Sequence, residues 1–366
     1  MNEDTPQPTV QPAKKTKTKL KILAFFILGL SILIFILQNL GITPAIARDA
    51  LINVGYFYSA LILATYFVLV FLVAIKWKVI IMSLAENISP RRGYFMYYAS
   101  LSFLINGFIP QGGFGVRVGS LKVLYDVPVS KGIISQFIDQ LFELIVTAIL
   151  IPPSILYMLH ILSMGEALLL LLFSIIMVYL LIHYSNPERI QLVGHWLKSR
   201  TSSLERFALF SKFSRMLVDI PFEKLNLKWI VSISFIRMSV SIASTLCMMW
   251  AAGISITYLE LLLVAPVVYL IGLFSFTPQG IGTVDAGWLG VLLALGVDKL
   301  TIGKFLIIEL AWGNLSQAIV TIVLYLFYTA FNWLQAGKNS SISCAPSESI
   351  LIRGENRIPT SIGRKK

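Results

Sequence analysis

Long apolar runs without a charge constrain this chain more than any other feature of its sequence. The runs 22–40 and 54–75 contain no charged residue, and about 20 such residues are enough for a helix to cross a hydrocarbon core about 30 Å thick. Further long apolar runs lie at 133–157, 167–183, 229–251, 258–276 and 305–334, and all of these except 167–183 contain one or two charged residues. Since 57% of the 366 residues are hydrophobic and only 13% are charged, we predict an all-α, polytopic integral membrane helical bundle.

The distribution of lysine and arginine predicts how the chain is threaded, because these residues concentrate on the cytoplasmic side. Most of the 30 lysines and arginines fall in the segments 1–21, 76–94, 184–228 and 336–366 if the amino terminus is inside. This favours ten full or partial crossings with both ends cytoplasmic; eight full helices plus re-entrant pieces are the alternative. We therefore expect a multi-pass plasma-membrane protein with a cytoplasmic amino terminus.

This pattern of apolar and basic segments divides the chain into three predicted parts. We predict a basic cytoplasmic segment at 1–21, a polytopic transmembrane domain at 22–335 with a basic cytoplasmic loop at 184–228, and a disordered polar tail at 336–366. A polar segment rich in serine, lysine and arginine has too little apolar surface to fold alone.

One short motif occurs twice, as FIPQGGFGVRVG at 108–119 and as FTPQGIGTVDAG at 276–287. Proline removes a backbone donor and glycine permits positive φ, so we expect a helix to break at each copy. With ten crossings the two copies have opposite orientations, and inverted pairs of broken helices are typical of transporters with a binding site between them. The identical positions are Phe108/Phe276, Pro110/Pro278, Gln111/Gln279, Gly112/Gly280, Val116/Val284 and Gly119/Gly287.

Helix amino termini and ionisable residues within the membrane are the candidate binding groups. A helix that restarts after each break directs its first amides at a cavity, and such termini favour anions, while intramembrane charges are functional candidates by default. Arg117 and Asp285 occupy equivalent positions of the two motifs, so they could pair across the midplane or receive opposite charges of a zwitterionic ligand. The alternative is mutual neutralisation, of Arg117 by Asp139 or Glu143 and of Arg237 by Glu309 or Asp285. The expected substrate site comprises Pro110, Gln111, Gly112, Gly113, Arg117, Asp139, Glu143, Arg237, Pro278, Gln279, Gly280, Gly282, Asp285 and Glu309.

Signatures of other functions are weak. His160, His183 and His195 lack metal-ligand spacing, and Cys247 and Cys344 form no disulfide framework or zinc motif. No catalytic residue, metal or cofactor is therefore predicted. The net charge of +12 is explained by cytoplasmic membrane flanks, so we expect no nucleic-acid partner.

The segments NGFIPQGGFGVRVGSLKVL, SQFIDQLFEL and FTPQGIGTVDAGWLGVLLALGV resemble the transmembrane region of the lysylphosphatidylglycerol synthase/flippase family, over roughly residues 20–335. Positions that match the family's motifs are Asn106, Pro110, Gly113, Arg117, Pro278, Gly280, Gly282 and Asp285, while Gln279 departs from them. The family has a helix with the pattern Glu-Arg-x-x-Asp; here Asp139 and Glu143 keep its two acids, but its arginine is missing. An arginine that is usual late in the family has no clear counterpart, since that region offers Glu309.

The resemblance implies a lipid-handling membrane domain. It also adds Asn106 to the expected substrate-binding residues, because this residue matches a motif of the family. In the best-known relatives such a domain moves an aminoacylated phospholipid between leaflets. A separate soluble domain performs the aminoacyl transfer in those relatives, and we expect that the short polar tail of this sequence leaves no room for it. The leading hypothesis is a stand-alone translocase for a phospholipid or polyprenyl-phosphate lipid, with an anionic or zwitterionic headgroup. The alternatives are a non-catalytic partner of a separate glycosyl- or aminoacyl-transferase and, third, a lysyltransferase-type enzyme.

Overall fold

The computed structural model describes residues 15–85, 88–109, 111–184, 222–273 and 277–343. Within these ranges there are eleven α-helices and no strand, which confirms the predicted all-α class. The helices are α1 Lys15–Asn39, α2 Pro44–Ile52, α3 Gly55–Leu84, α4 Tyr94–Phe108, α5 Gly112–Tyr125, α6 Val129–Met158, α7 Met164–Tyr184, α8 Leu227–Ala252, α9 Tyr258–Leu273, α10 Thr283–Ala294 and α11 Lys299–Ser343. Two short 3₁₀ turns lie at Phe222–Lys224 and Pro278–Gly280.

A helix occupies each apolar run that the sequence predicted. Four helices, α3, α6, α8 and α11, are long and apolar enough to cross a membrane, or five spans if α1 and α2 count as one bent span. The helices α7 and α9 are apolar but shorter over their apolar parts. The chain is thus a multi-pass helical membrane protein, and eight to ten crossings remains a prediction.

The outer faces of the bundle are apolar, as a lipid environment requires. Large side chains such as Phe35, Leu169 and Phe327 are more than half exposed, whereas the interior packs around buried aromatic residues such as Trp77 and Trp288. Since these exposed groups would be costly in water, their position favours contact with acyl chains.

The bend between α1 and α2 has a local cause. The helices meet at 95°, because Gly41 adopts a φ of 74° after α1 and α2 starts directly at Pro44. The hydroxyl of Thr43 accepts a hydrogen bond from the Ile46 amide at 3.3 Å, which caps the new helix.

Each repeated motif lies at the tip of an antiparallel helical hairpin. In the first hairpin, α4 and α5, the hydroxyl of Tyr94 lies 2.8 Å from that of Ser120, so the start of α4 meets the end of α5. In the second, α9 and α10, Gly272 lies beside Val284 and Gly287 beside Val268. With 15 and 14 residues, α4 and α5 are only about 22 Å long, less than a hydrocarbon core of about 30 Å.

Several predictions fall partly outside the described ranges. These include the segment 1–14, most of the basic loop at 184–228, Phe276, Cys344 and the site residue Pro110. Helix α11 continues to Ser343, beyond the predicted domain boundary at 335, and 344–366 lies outside the described chain.

Candidate functional site

The two motifs adopt the same backbone conformation at their shared glutamine. Gln111 has φ 57° and ψ 14°, and Gln279 has φ 54° and ψ 11°. A positive φ is uncommon for a residue other than glycine, so its recurrence at equivalent positions shows that the two motifs share a backbone conformation as well as a sequence pattern. The predicted helix break is present in both hairpins: α4 ends at Phe108, α5 begins at Gly112, and a 3₁₀ turn separates α9 from α10.

The first motif is held by an amide side chain of its own hairpin. The Gly113 amide donates a hydrogen bond of 2.7 Å to Asn106 Oδ1. A Cβ atom on Gly113 would lie 2.2 Å from the Ser102 carbonyl oxygen, closer than any real contact. Glycine is therefore required at this position by the close approach of α5 to α4.

The second motif is held by a carboxylate and by contact with α1. The Gly282 amide donates a hydrogen bond of 2.6 Å to Asp285 Oδ2, which caps the start of α10. Gly282 has a φ of 84°, and a Cβ there would lie 2.6 Å from the Gly29 carbonyl oxygen. The amides of Gly113 and Gly282 thus already have intramolecular partners and do not by themselves offer the anion site that was expected at the restarted helices.

The two motifs approach each other in the bundle. A methyl group built on Gly107, at the end of α4, would lie 3.4 Å from both Gln279 Oε1 and Asn314 Oδ1. The turn of the second hairpin therefore packs against the tip of the first, beside α11. This proximity of the broken helices is what a site built from two halves needs.

A group of five charged residues lies at the first hairpin; four of them are buried and Arg237 is partly exposed. We call this group the basic cluster. Lys76 from α3 lies 2.7 Å from Asp139 Oδ1 and 2.5 Å from Glu143 Oε1. Arg117 lies 3.2 Å from Asp139 Oδ2, and Arg237 from α8 pairs with Glu143 Oε2. Four helices thus contribute to one network.

Polar and aromatic groups complete the surroundings of Arg117. Its Nε donates to Ser102 Oγ at 2.8 Å and one Nη donates to Gln136 Oε1 at 3.3 Å. The guanidinium carbon lies 5.6 Å from the Trp77 ring centroid, a cation–π distance. Arg117 is therefore fixed in place on several sides.

The basic cluster carries more positive than negative charge. Three cations, Lys76, Arg117 and Arg237, face two carboxylates, which leaves one formal positive charge. Beside it, the buried donors Trp77 Nε1, Gln136 Nε2 and Arg237 Nε have no hydrogen-bond partner. Because buried donors without partners are costly, this arrangement is complementary to an anion.

A cavity of about 220 Å³ lies at the second motif and contrasts with the basic cluster in charge. Two carboxyl groups, Asp285 and Glu309, line it, and none of its lining residues in the described part of the chain is a lysine or an arginine. The indole Nε1 of Trp288 donates to Glu309 Oε1 at 3.2 Å. We call this the acidic cavity; its lining residues are Tyr66, Gln279, Gly280, Ile281, Val284, Asp285, Glu309, Leu310, Asn314 and Gln317.

The structure brings some of the predicted charge partners together and separates others. The pairing of Arg117 with Asp139 is one of the expected alternatives and is observed. The expected pairing of Arg237 with Glu309 or Asp285 is wrong, since Arg237 binds Glu143. No ion pair joins Arg117 to Asp285 within the described chain, because Asp285 caps α10 at the second motif.

The sequence-based prediction missed Lys76. It follows the apolar run of α3, so it was counted among the basic residues of a cytoplasmic loop, yet its side chain is fully buried. The available signal was its position, since Lys76 directly follows the apolar run 54–75 and precedes a tryptophan, Trp77. The cavity residues Tyr66 and Gln317 were missed as well, because neither carries a charge.

Within the described ranges, no group of three or more histidine, cysteine, aspartate or glutamate side chains comes together in a way that could hold a metal ion. Outside the membrane-spanning segments, the Lys122 ammonium donates a hydrogen bond to the Asp126 carboxylate and lowers the pKa of that carboxyl group, as expected for an exposed pair at a helix end.

The chain matches one protein-family model, described as the lysylphosphatidylglycerol synthase TM region, over residues 21–322. No curated protein and no solved structure matches it. The matched range contains both motifs, the basic cluster and the acidic cavity.

Proposed function

Because the chain belongs to the lysylphosphatidylglycerol synthase transmembrane-region family, we propose that it moves a lipid with an anionic phosphate headgroup between the two leaflets. The family places the chain among membrane proteins of lipid modification or translocation that interact with membrane lipids. The proposal includes the translocation itself, the headgroup class and a location in the plasma membrane with a cytoplasmic amino terminus. It also includes that this chain does not perform aminoacyl transfer.

The observation that carries the proposal is the excess charge of the basic cluster. A phosphate would accept hydrogen bonds from the unpartnered donors Gln136 Nε2 and Arg237 Nε and would compensate the remaining positive charge. Guanidinium groups suit this role, since their planar donors match phosphate oxygens.

Access to the cluster supports the same reading. The side chain of Arg237 is 27% exposed, whereas that of Lys76 is fully buried. Arg237 is therefore the group that a headgroup would reach first, while Lys76 holds Asp139 and Glu143 in position. The two hairpins with broken helices lie close to each other, and paired broken helices are typical of transporters that alternate access.

A leaflet-access assay on the purified chain in liposomes tests the proposal. Fluorescent phosphatidylglycerol and phosphatidylcholine, each placed in a separate preparation, report whether an anionic headgroup is preferred. The variant Arg237→Gln removes a charge of the basic cluster, and Lys228→Gln removes an exposed charge from the same helix as a matched control.

We expect the wild type and Lys228→Gln to move phosphatidylglycerol, and Arg237→Gln to slow the movement about tenfold or more, the effect of losing one charged hydrogen bond. Equal rates in Arg237→Gln and wild type would refute the role of the cluster. No lipid movement by a folded wild type would favour the non-catalytic partner of a transferase instead. Aminoacyl transfer by the chain alone would identify an enzyme.

A further inference from the structure

In the described chain, a second group of buried polar atoms without hydrogen-bond partners lies at the acidic cavity. Glu309 Oε2 and Gln317 Oε1 are buried and have no hydrogen-bond partner. Both are acceptors, whereas the unpartnered buried atoms beside the basic cluster are all donors. Gln317 is only 8% exposed, so its unpaired oxygen faces the cavity that the residue lines and not bulk solvent.

The described residues that line the cavity provide a set of oxygen ligands and no positive charge. They include the carboxyl groups of Asp285 and Glu309, the side-chain amides of Asn314 and Gln317 and the hydroxyl of Tyr66. Both carboxyl groups line the same cavity. Hard cations bind such oxygen sets, and a cation would satisfy both free acceptors.

The backbone beside the cavity has the features of an ion site at a broken helix. The turn Pro278–Gly280 and Gly282 interrupt the helical hairpin, and Gln279 and Gly280 line the cavity. Unwound segments of this kind hold coupling ions in transporters with broken helices. The volume of about 220 Å³ leaves room for an ion with part of its hydration shell.

We propose that the acidic cavity is a binding site for a monovalent inorganic cation, an alkali-metal ion such as Na⁺. Divalent ions fit less well, because only two carboxylates are present and Asp285 already accepts the Gly282 amide, whereas Ca²⁺ and Mg²⁺ favour more anionic or better ordered sets. The site lies apart from the basic cluster. Tyr66 and Lys76 are ten residues apart on α3, which corresponds to about 15 Å along a helix.

Cation-dependent thermal unfolding of the purified full chain in detergent tests the proposal. NaCl replaces N-methyl-D-glucamine chloride at constant ionic strength and pH, with KCl, CaCl₂ and ethylammonium chloride in parallel. Glu309→Gln removes a cavity carboxylate, Gln317→Leu removes an unpaired oxygen, and Glu166→Gln changes an exposed carboxylate at the start of α7 as the matched control. Uptake of radioactive sodium by immobilised protein gives a second readout.

We expect Na⁺ to raise the unfolding midpoint of the wild type and of Glu166→Gln saturably, since a ligand of the native state stabilises it. In Glu309→Gln and Gln317→Leu the half-saturating Na⁺ concentration should rise about tenfold or more. If Glu309→Gln fails to fold, Gln317→Leu and sodium binding by the wild type decide the question.

Equal midpoints in Na⁺ and N-methyl-D-glucamine, with no bound radioactive sodium, would overturn the proposal. Protection by ethylammonium or CaCl₂ but not by alkali ions would also overturn it, in favour of an amine or a divalent ion. A dependence on pH through Glu309 without one on Na⁺ would identify a proton site instead. None of these readouts requires lipid movement, so the ion site and the translocase proposal can fail independently.

Discussion

The glycine at position 113 provides the sharpest test of how the first motif is built. In Gly113→Ala the new methyl carbon would lie 2.2 Å from the Ser102 carbonyl oxygen, whereas carbon–oxygen contacts are normally about 3.3 Å or longer. The hairpin must open by roughly 1 Å to relieve this overlap, since the obstacle is backbone. That movement also stretches the hydrogen bond from the Gly113 amide to Asn106, now 2.7 Å long.

The same helix offers a matched control. A Cβ on Gly115 would meet no atom within 4 Å, so Gly115→Ala gains the same helix propensity as Gly113→Ala without the clash. The propensity term of about 1 kcal/mol therefore cancels when the two variants are compared. Overpacking costs about 1–3 kcal/mol and the lost hydrogen bond about 1 kcal/mol, so Gly113→Ala should be less stable than Gly115→Ala by about 2–4 kcal/mol.

Equilibrium unfolding in mixed detergent micelles measures this difference directly. Lipid movement by both variants then reports whether the geometry of the first motif serves transport. Equal stabilities for Gly113→Ala and Gly115→Ala would refute the close approach of α4 and α5. A stable Gly113→Ala that moves lipid at the wild-type rate would separate this motif from the proposed function.

Two further substitutions test the buried charges and the contact of α1 with the second motif. Lys76→Met removes the ammonium that bridges Asp139 and Glu143, although each carboxylate keeps an arginine partner, and should lower the free energy of unfolding by about 1–3 kcal/mol. Lys78→Met, exposed on the same helix, should change it by less than about 0.5 kcal/mol. Gly29→Ala would place a methyl group 2.7 Å from a carbonyl oxygen of the second motif and should lower the unfolding midpoint, whereas Gly290→Ala, with nothing within 4 Å, should not. Similar midpoints within either pair would contradict the packing described.

The sequence could predict the helices because membrane helices satisfy their backbone internally and expose apolar side chains. Runs such as 54–75 and 229–251 are therefore visible without any tertiary information, and the helices Gly55–Leu84 and Leu227–Ala252 cover them except for the capping residue Val54. The breaks at Gln111 and Gln279 were predictable for a similar reason, since proline and glycine act locally on the backbone.

Charge partners were harder to predict, because an ion pair depends on which helices are neighbours. Arg117 and Asp139 are separated by a short stretch of chain, and their pairing was among the alternatives. Arg237 could be assigned a partner only once α8 was known to pack beside α6, where Glu143 lies. Lys76 looked like a loop residue until the fold buried it.

By itself, then, the sequence determined an all-α membrane protein with two related helix breaks and a family resemblance, because hydropathy and backbone chemistry act over neighbouring residues. Only the tertiary structure decided that the charged residues divide into a basic cluster with unpaired donors and an acidic cavity with unpaired acceptors. The physical reason is that burial and pairing are properties of helices in contact, and residues from α3, α5, α6, α8 and α11 meet at these sites only after the bundle has assembled.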